Sequence, residues 1–403
     1  MNLVEILKSD PLPKELAFAP SEYQRRVRAV QARMQAEAVE FLVISSTPNL
    51  GYLTGYDSTM PSGYTIGILG ASGSVSLHTS ELEAPCALLS STIEKIEVFY
   101  WTDAQDTAAQ LSDILSELGA NGKRIGIEMG NATISSTGFD TRSFLRLQER
   151  LPMAEFVDAT SFVLEVRKVK SEEELVYMRQ AGQYTALGLQ ASIQAAAEGR
   201  TDNELVAAGY HAMVSAGSEL MSIDPMIVTG ARTGYMPHIP YRRVELKRGD
   251  PVYMEYSGCH NRYNAPSMRS AVIGKPSDEL NRLANASLNI IEILLESIAP
   301  NRTGTDIALE AKRGLVDAPT GAFFHGGFGY SVGLGYQPTW SEIPLYIAEG
   351  AEEELRSGMT FHLPICIWIP GAKIGVGFSE TVVVTDSGCE LITPGDNRKL
   401  VER

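Results

Sequence analysis

The chain has 403 residues, 44% of them hydrophobic and 21% charged, which is enough for two domains that each bury a core. Its 49 acidic side chains outnumber 34 Lys and Arg, and the net charge of −15 argues against the basic face of a nucleic-acid binder and against docking on an anionic membrane. The four cysteines, Cys86, Cys259, Cys366 and Cys389, form no CxxC pair, so no zinc ribbon or redox motif is expected.

Met1–Glu5 lacks the basic stretch and long apolar run of a signal peptide. No later run is long enough to span a bilayer, so a cytoplasmic protein with reduced thiols is expected. Ser21 opens a helix in which Val27, Val30 and Met34 recur at helical spacing. Phe41–Ile44 is a short buried strand, Thr47–Tyr56 a turn-rich segment with aromatics, and Asp57–Gly63 an exposed polar loop. Tyr64–Leu69 and Val75–His78 read as a hairpin joined through Gly70–Ser74. Helices at Ala104–Leu118 and Asp140–Leu151 alternate with strands at Arg124–Glu128 and Glu155–Asp158, the pattern of an α/β layer domain. No Gly-rich phosphate loop follows these strands, so no nucleotide cofactor is expected.

A boundary near Glu165 divides the chain into 1–165 and 166–403. Ser171 and Glu174 form a capping box that starts a long helix, continued through Ala181–Ala197. Gly199–Asp202 breaks it, and a second helix runs to about Ser215. Strands follow at Met226–Val228, Val252–Tyr256 and Ser270–Ile273. After Lys275-Pro276-Ser277 an amphipathic helix places Leu280, Leu283, Leu288, Ile291, Leu295 and Ile298 on one face, and Pro300 stops it. A further helix covers Asp306–Leu315. Met359–Ile369 and Gly375–Val384 are apolar, β-branched runs expected to lie beside Val252–Ile273 in a curved antiparallel sheet, with helices on one face. The fold class is α+β, with a smaller α/β domain in front.

The chemistry concentrates in Pro237–Arg269. The apolar run Val252-Tyr253-Met254 breaks at Glu255, and a carboxylate inside a strand is costly to bury without a partner. Together with His238 in the preceding loop it makes an acid/base or nucleophile site; the plainer alternative is a surface histidine and a carboxylate capping an arginine.

Several stretches resemble the creatinase/prolidase/methionine-aminopeptidase superfamily of pita-bread fold: Arg167–Glu174, Lys247-Arg248-Gly249-Asp250, the Glu255–Arg269 hairpin, Phe324–Leu334 and Ser357–Phe361. Peptidases of that superfamily hold two metal ions on two Asp, one His and two Glu. Those positions fall here on Glu255, Pro266, Tyr330, Pro364 and Ser379, a set that cannot hold a divalent pair, so no metal is expected. In metal-free creatinase a catalytic histidine precedes the Lys-Gly-Asp turn at the distance His238 keeps from Asp250, but its guanidinium-binding carboxylates fall on Met268 and Pro364 and its arginine on Ser341. The ectoine hydrolase family is the closer resemblance, through Pro237-His238, Glu255–Pro266, Gly329–Glu342 and Met359–His362; it departs at Gly377, where that family often carries Glu.

The resemblance implies a metal-independent, cofactor-free hydrolase that opens a cyclic amidine, ectoine or hydroxyectoine, by C–N hydrolysis to N-acetyl-diaminobutyrate. Glu255 is the nucleophile or the general base, and His238 shuttles the proton. Tyr330 replaces a metal histidine, and its hydroxyl either faces the old metal cavity or packs. His325 and His362 bind substrate or order strands, Trp340 and Glu342 line the pocket or belong to the core, and Arg262 and Arg269 grip a substrate carboxylate or form internal ion pairs. Tyr52 is expected to reach a neighbouring subunit's site, which implies a homodimer acting on a small zwitterion. The rival readings are a creatinase-like amidinohydrolase on another guanidino or amide compound, a non-catalytic pita-bread binding module, and a metallopeptidase with unforeseen ligands.

Overall fold

The computed structural model describes residues 3–61, 63–130, 138–395 and 398–403, with the backbone alone at 103–105, 343 and 344. Met1 and Asn2 of the N-terminal stretch, and Ser62 within the Asp57–Gly63 loop, lie outside the described residues. The chain divides into two compact units, Met1–Arg167 and Lys168–Arg403.

In the first unit a six-stranded sheet runs in the order Ile96–Phe99, Val75–Ser80, Thr65–Gly70, Phe41–Ile44, Arg124–Ile127, Glu155–Asp158. The central pairs around Thr65–Gly70 are antiparallel and the outer ones parallel. Val43, Ile66, Ile68, Ile125 and Ile127 meet Leu111, Leu115 and Leu147 of the helices Thr107–Glu117 and Thr141–Arg150. Asp106 and Asp140 cap those helices by accepting from the backbone N–H groups of Ala109 and Ser143. One departure from the sequence reading is Thr47–Thr54, a helix rather than a run of turns. Pro48 sits in its first turn, where a missing N–H costs nothing, and Gly55 ends it at φ 84°.

The second unit opens with the helices Glu172–Ala195 and Asp202–Ser215, each started by a capping box, Ser171 with Glu174 and Thr201 with Glu204. Gly188 and Gly209 leave room for Met213, Ser192 and the Tyr256 ring, so the two helices close over the sheet beneath. That sheet runs Val401–Glu402, Ser267–Val272, Pro251–Tyr256, Met226–Thr229. A second sheet joins Cys389–Leu391, Thr381–Val384, Thr360–His362, Gly329–Tyr336, Tyr263–Asn264 and Cys259–His260, with Thr339–Ile347 folded back on Gly329–Tyr336. Helix Asp278–Ser297 buries Leu280, Leu283, Ile290, Ile291 and Leu294 in a core shared with Phe361, Ile365, Ile367, Phe378 and Val382.

The α+β class, with antiparallel sheets backed by helices, is as expected; the division of the last strands is not. Met359–Ile369 splits into Thr360–His362 and Ile365–Ile369, and Gly375–Val384 into Ile374–Phe378 and Thr381–Val384. Pro364 lacks a ladder donor and ends the first strand. The halves enter different ladders: Ile365–Ile369 pairs with Ile374–Phe378, and Thr360–His362 with Thr381–Val384. The break brings His362 and Ser379 side by side.

Candidate active site

Along Pro251–Tyr256 side chains alternate between the two faces of the sheet, so Tyr253 and Glu255 share one face. Cross-strand register sets Met226 and Met268 on either side of Glu255, and Val228 and Ser270 on either side of Tyr253. Glu255 is only 3% exposed. Burial raises its pKa to about 7, and the hydrogen bond that the Tyr253 hydroxyl donates to Oε2 works against that rise. Among the described residues no Lys or Arg pairs with Glu255, and no donor reaches Oε1. Cys366 donates weakly to the Tyr253 oxygen at 3.8 Å, and burial pushes both its thiol and the Tyr253 phenol well up, so both stay protonated.

A second group hangs on the Gly329–Ile347 hairpin. Trp340 Nε1–H donates to the Tyr330 hydroxyl at 2.9 Å, and the same hydroxyl meets His362 Nδ1 at 2.9 Å. His362 Nε2 lies 2.7 Å from Ser379 Oγ. Burial drives the His362 pKa down to about 3, so the imidazole is neutral and has one donor and one acceptor to place between Tyr330 and Ser379. Tyr330 is pushed well above the ordinary phenol range, first by burial and then by the charge of Glu255. The charge of Glu255 is thus felt at the second group, in which there is no carboxylate.

His238 lies in the loop after the 3-10 turn Gly230–Tyr235 and is exposed, as is His325. Its neighbours Met236 and Ile239 pack on Val228, Tyr253, Met268 and Cys366, which pins the loop over the face that carries Glu255. Packing around the His325 ring, followed by the positive charge of His238, lowers the His325 pKa. The two imidazoles are thus neighbours at the surface.

The remaining sequence candidates fall elsewhere. Glu342 was expected to line the pocket. Instead its Oε2 forms a buried ion pair with Lys170, and its Oε1 accepts the Leu334 N–H at 3.0 Å, so the carboxylate braces the hairpin. Tyr52 was expected to reach a neighbouring site. It is 1% exposed in the core of the first unit, with the Arg26 guanidinium 4.2 Å from its ring. Arg269 binds Glu380 at 2.8 Å, and Arg262 stacks over Tyr336 at 4.7 Å, which gives both an internal role. Sequence reasoning gave no role to Tyr253 or Cys366; the two-residue period from Glu255 was the available signal for Tyr253.

The donor set does not fit a metal pair. Pro266 and Pro364 offer no side-chain donor, and Tyr330 and Ser379 are both engaged with His362. Among the described residues no three His, Cys, Asp or Glu side chains gather as ligands.

Comparison with known proteins places these features. Residues 176–386 match the model of Metallopeptidase family M24, and residues 26–169 that of the Creatinase/Prolidase N-terminal domain. An ectoine hydrolase of Halomonas elongata is 30% identical over 398 residues, covering 94% of this chain and 96% of that protein. A Xaa-Pro dipeptidase of Pyrococcus horikoshii is 26% identical over 375 residues, 91% of this chain and 96% of that one. The solved prolidase of Pyrococcus horikoshii superposes with a TM-score of 0.80 at 22% identity, over 93% of this chain and 100% of that chain.

Proposed function

The chain belongs to metallopeptidase family M24, behind a creatinase/prolidase N-terminal domain, and is a hydrolase of that family; from this premise we propose that it opens a small cyclic amidine, ectoine or hydroxyectoine, without a metal ion. One observation carries the reading: Glu255 is a buried carboxylate with no cationic partner among the described residues. Burying such a charge is costly, and a substrate amidinium brings the missing positive charge with it. A metal site at this position would need further carboxylates or imidazoles, and the chain offers Tyr330, Ser379 and two prolines.

Water is the co-reactant. Glu255 either adds to the amidinium carbon and is displaced by water, or takes a proton from that water as it adds. The water oxygen becomes the carbonyl oxygen of the acetyl group, one ring C–N bond breaks, and the departing nitrogen takes a proton that His238 relays. The product is N-acetyl-diaminobutyrate. The neutral Trp340–Tyr330–His362 group holds the substrate without competing for its charge. The reading extends to a cytoplasmic homodimer. Among the described residues no helix is long and apolar enough to cross a membrane.

The test is NMR of purified protein incubated with ectoine, before and after exhaustive chelation, with a Xaa-Pro dipeptide in parallel. N-acetyl-diaminobutyrate at an undiminished rate after chelation is expected. Dipeptide cleavage that needs added divalent metal, with ectoine untouched, would overturn the proposal.

A further inference from the structure

We propose that Tyr253 is the positioning residue of this site: its hydroxyl holds Glu255 Oε2, which leaves Oε1 as the reacting oxygen, and Gly377 is the residue that admits it. The inference rests on the reading that Glu255 reacts.

A glutamate side chain has a soft, two-fold terminal torsion, so a carboxylate held by nothing presents either oxygen in many orientations. Here one oxygen is taken. The Tyr253 hydroxyl donates to Oε2, and no donor among the described residues reaches Oε1. The phenol has one proton, and it points at Glu255; Cys366 Sγ lies beside the phenol oxygen at 3.8 Å and beside Met268 Sδ at 3.6 Å.

The tyrosine ring packs directly against the backbone of the strand opposite. A Cβ on Gly377 would fall 2.8 Å from the ring Cδ2 and closer still to Cε2. The backbone of Gly377 is not in the left-handed region, so space alone demands glycine there. Nor is Gly377 free to retreat. Its N–H donates to Ser270 Oγ at 2.9 Å, and its carbonyl accepts from the same hydroxyl at 3.0 Å. Ser270 is itself the cross-strand partner of Tyr253. One serine thus fixes the spacing between the strand that carries Glu255 and the strand that makes room for the ring.

The titratable groups facing Glu255 are Tyr253 from its own strand, Tyr330 from Gly329–Tyr336 and Cys366 from Ile365–Ile369; Met226 and Met268 on the flanking strands carry no charge. Of these, only Tyr253 hydrogen-bonds the carboxylate, so its removal is expected to be felt at Glu255 directly.

Tyr253→Phe keeps the ring and its packing and deletes the donor. On the proposed substrate, kcat is expected to fall about tenfold or more while KM changes little, since a hydrogen bond to a charged group is lost without loss of binding surface. Independently of turnover, the Glu255 carboxyl is followed by 13C NMR in glutamate-labelled protein, assigned with Glu255→Gln. Its midpoint is expected to move up by about one unit or more in Tyr253→Phe. Gly377→Ala, which pushes the ring aside, is expected to reproduce both effects and serves as the second variant should Tyr253→Phe fold poorly. A Glu255 midpoint unmoved in a folded variant would overturn the inference whatever the substrate; a moved midpoint with no turnover of ectoine would leave it standing and discard the substrate.

Discussion

Glu255→Gln is expected to make the protein more stable at alkaline pH and to change it little at acid pH. Burial lifts the folded-state pKa of Glu255 from 4.5 to about 7. A carboxyl whose folded pKa lies above its unfolded value binds its proton more tightly in the native state. Its favourable contribution is therefore complete below the unfolded pKa and is lost as pH rises through the folded one. The gap of about 2.5 units, at 1.36 kcal/mol per unit, is worth about 3 kcal/mol. Glutamine keeps the shape and an acceptor for the Tyr253 O–H but never ionises. The difference between variant and wild type should thus grow from under about 1 kcal/mol at pH 5 to about 3 kcal/mol at pH 9. Calorimetry at the two pH values reads this as a melting temperature several degrees higher for the variant at pH 9 only. The same offset at both pH values, or a wild type more stable at pH 9, would refute the reasoning. Gaining stability while losing the reactive group is the usual relation between a strained site and its scaffold.

Three further outcomes can be checked. The rate on ectoine should fall as pH drops through about 7, because Glu255 then takes up its proton; a kcat/KM profile flat from pH 6 to 8 would contradict this. Lys170→Met should cost about 3–5 kcal/mol in denaturant unfolding by removing the buried cation that faces the Glu342 carboxylate, and Lys170→Met with Glu342→Leu should recover most of the loss. Tyr330→Phe should cost about 1–3 kcal/mol, since the buried Trp340 N–H loses its acceptor, and should slow turnover; an unchanged unfolding midpoint would argue against the hydrogen bond.

Much of the fold was legible because it is local. The capping box at Ser171 needs only Glu174 three positions on, and the structure has it. Glu255 stood out because it interrupts an apolar strand. The helix Thr47–Thr54 was hidden by Gly51 and Tyr52, weak helix formers that tertiary burial overrides. The Gly329–Tyr336 strand was masked by its glycines. The internal ion pair expected as one reading of Arg269 is present, but its partner, like that of Glu342, lies far away in sequence. Lys170 meets Glu342 across 172 positions, and Arg269 meets Glu380 across 111, so no window of sequence carries either pairing. The Tyr253 hydrogen bond was the least visible, since its geometry depends on a side chain that is missing at Gly377.

The inner wall of the site is electrostatically quiet near neutral pH. Tyr253, Tyr330 and Cys366 hold their protons, and His362 refuses one, so Glu255 alone can change state there. A cation that settles against that wall can expel at most one proton from it. Titration calorimetry in buffers of different ionisation heat would count that single release and report occupancy by any positively charged guest, even one that never reacts.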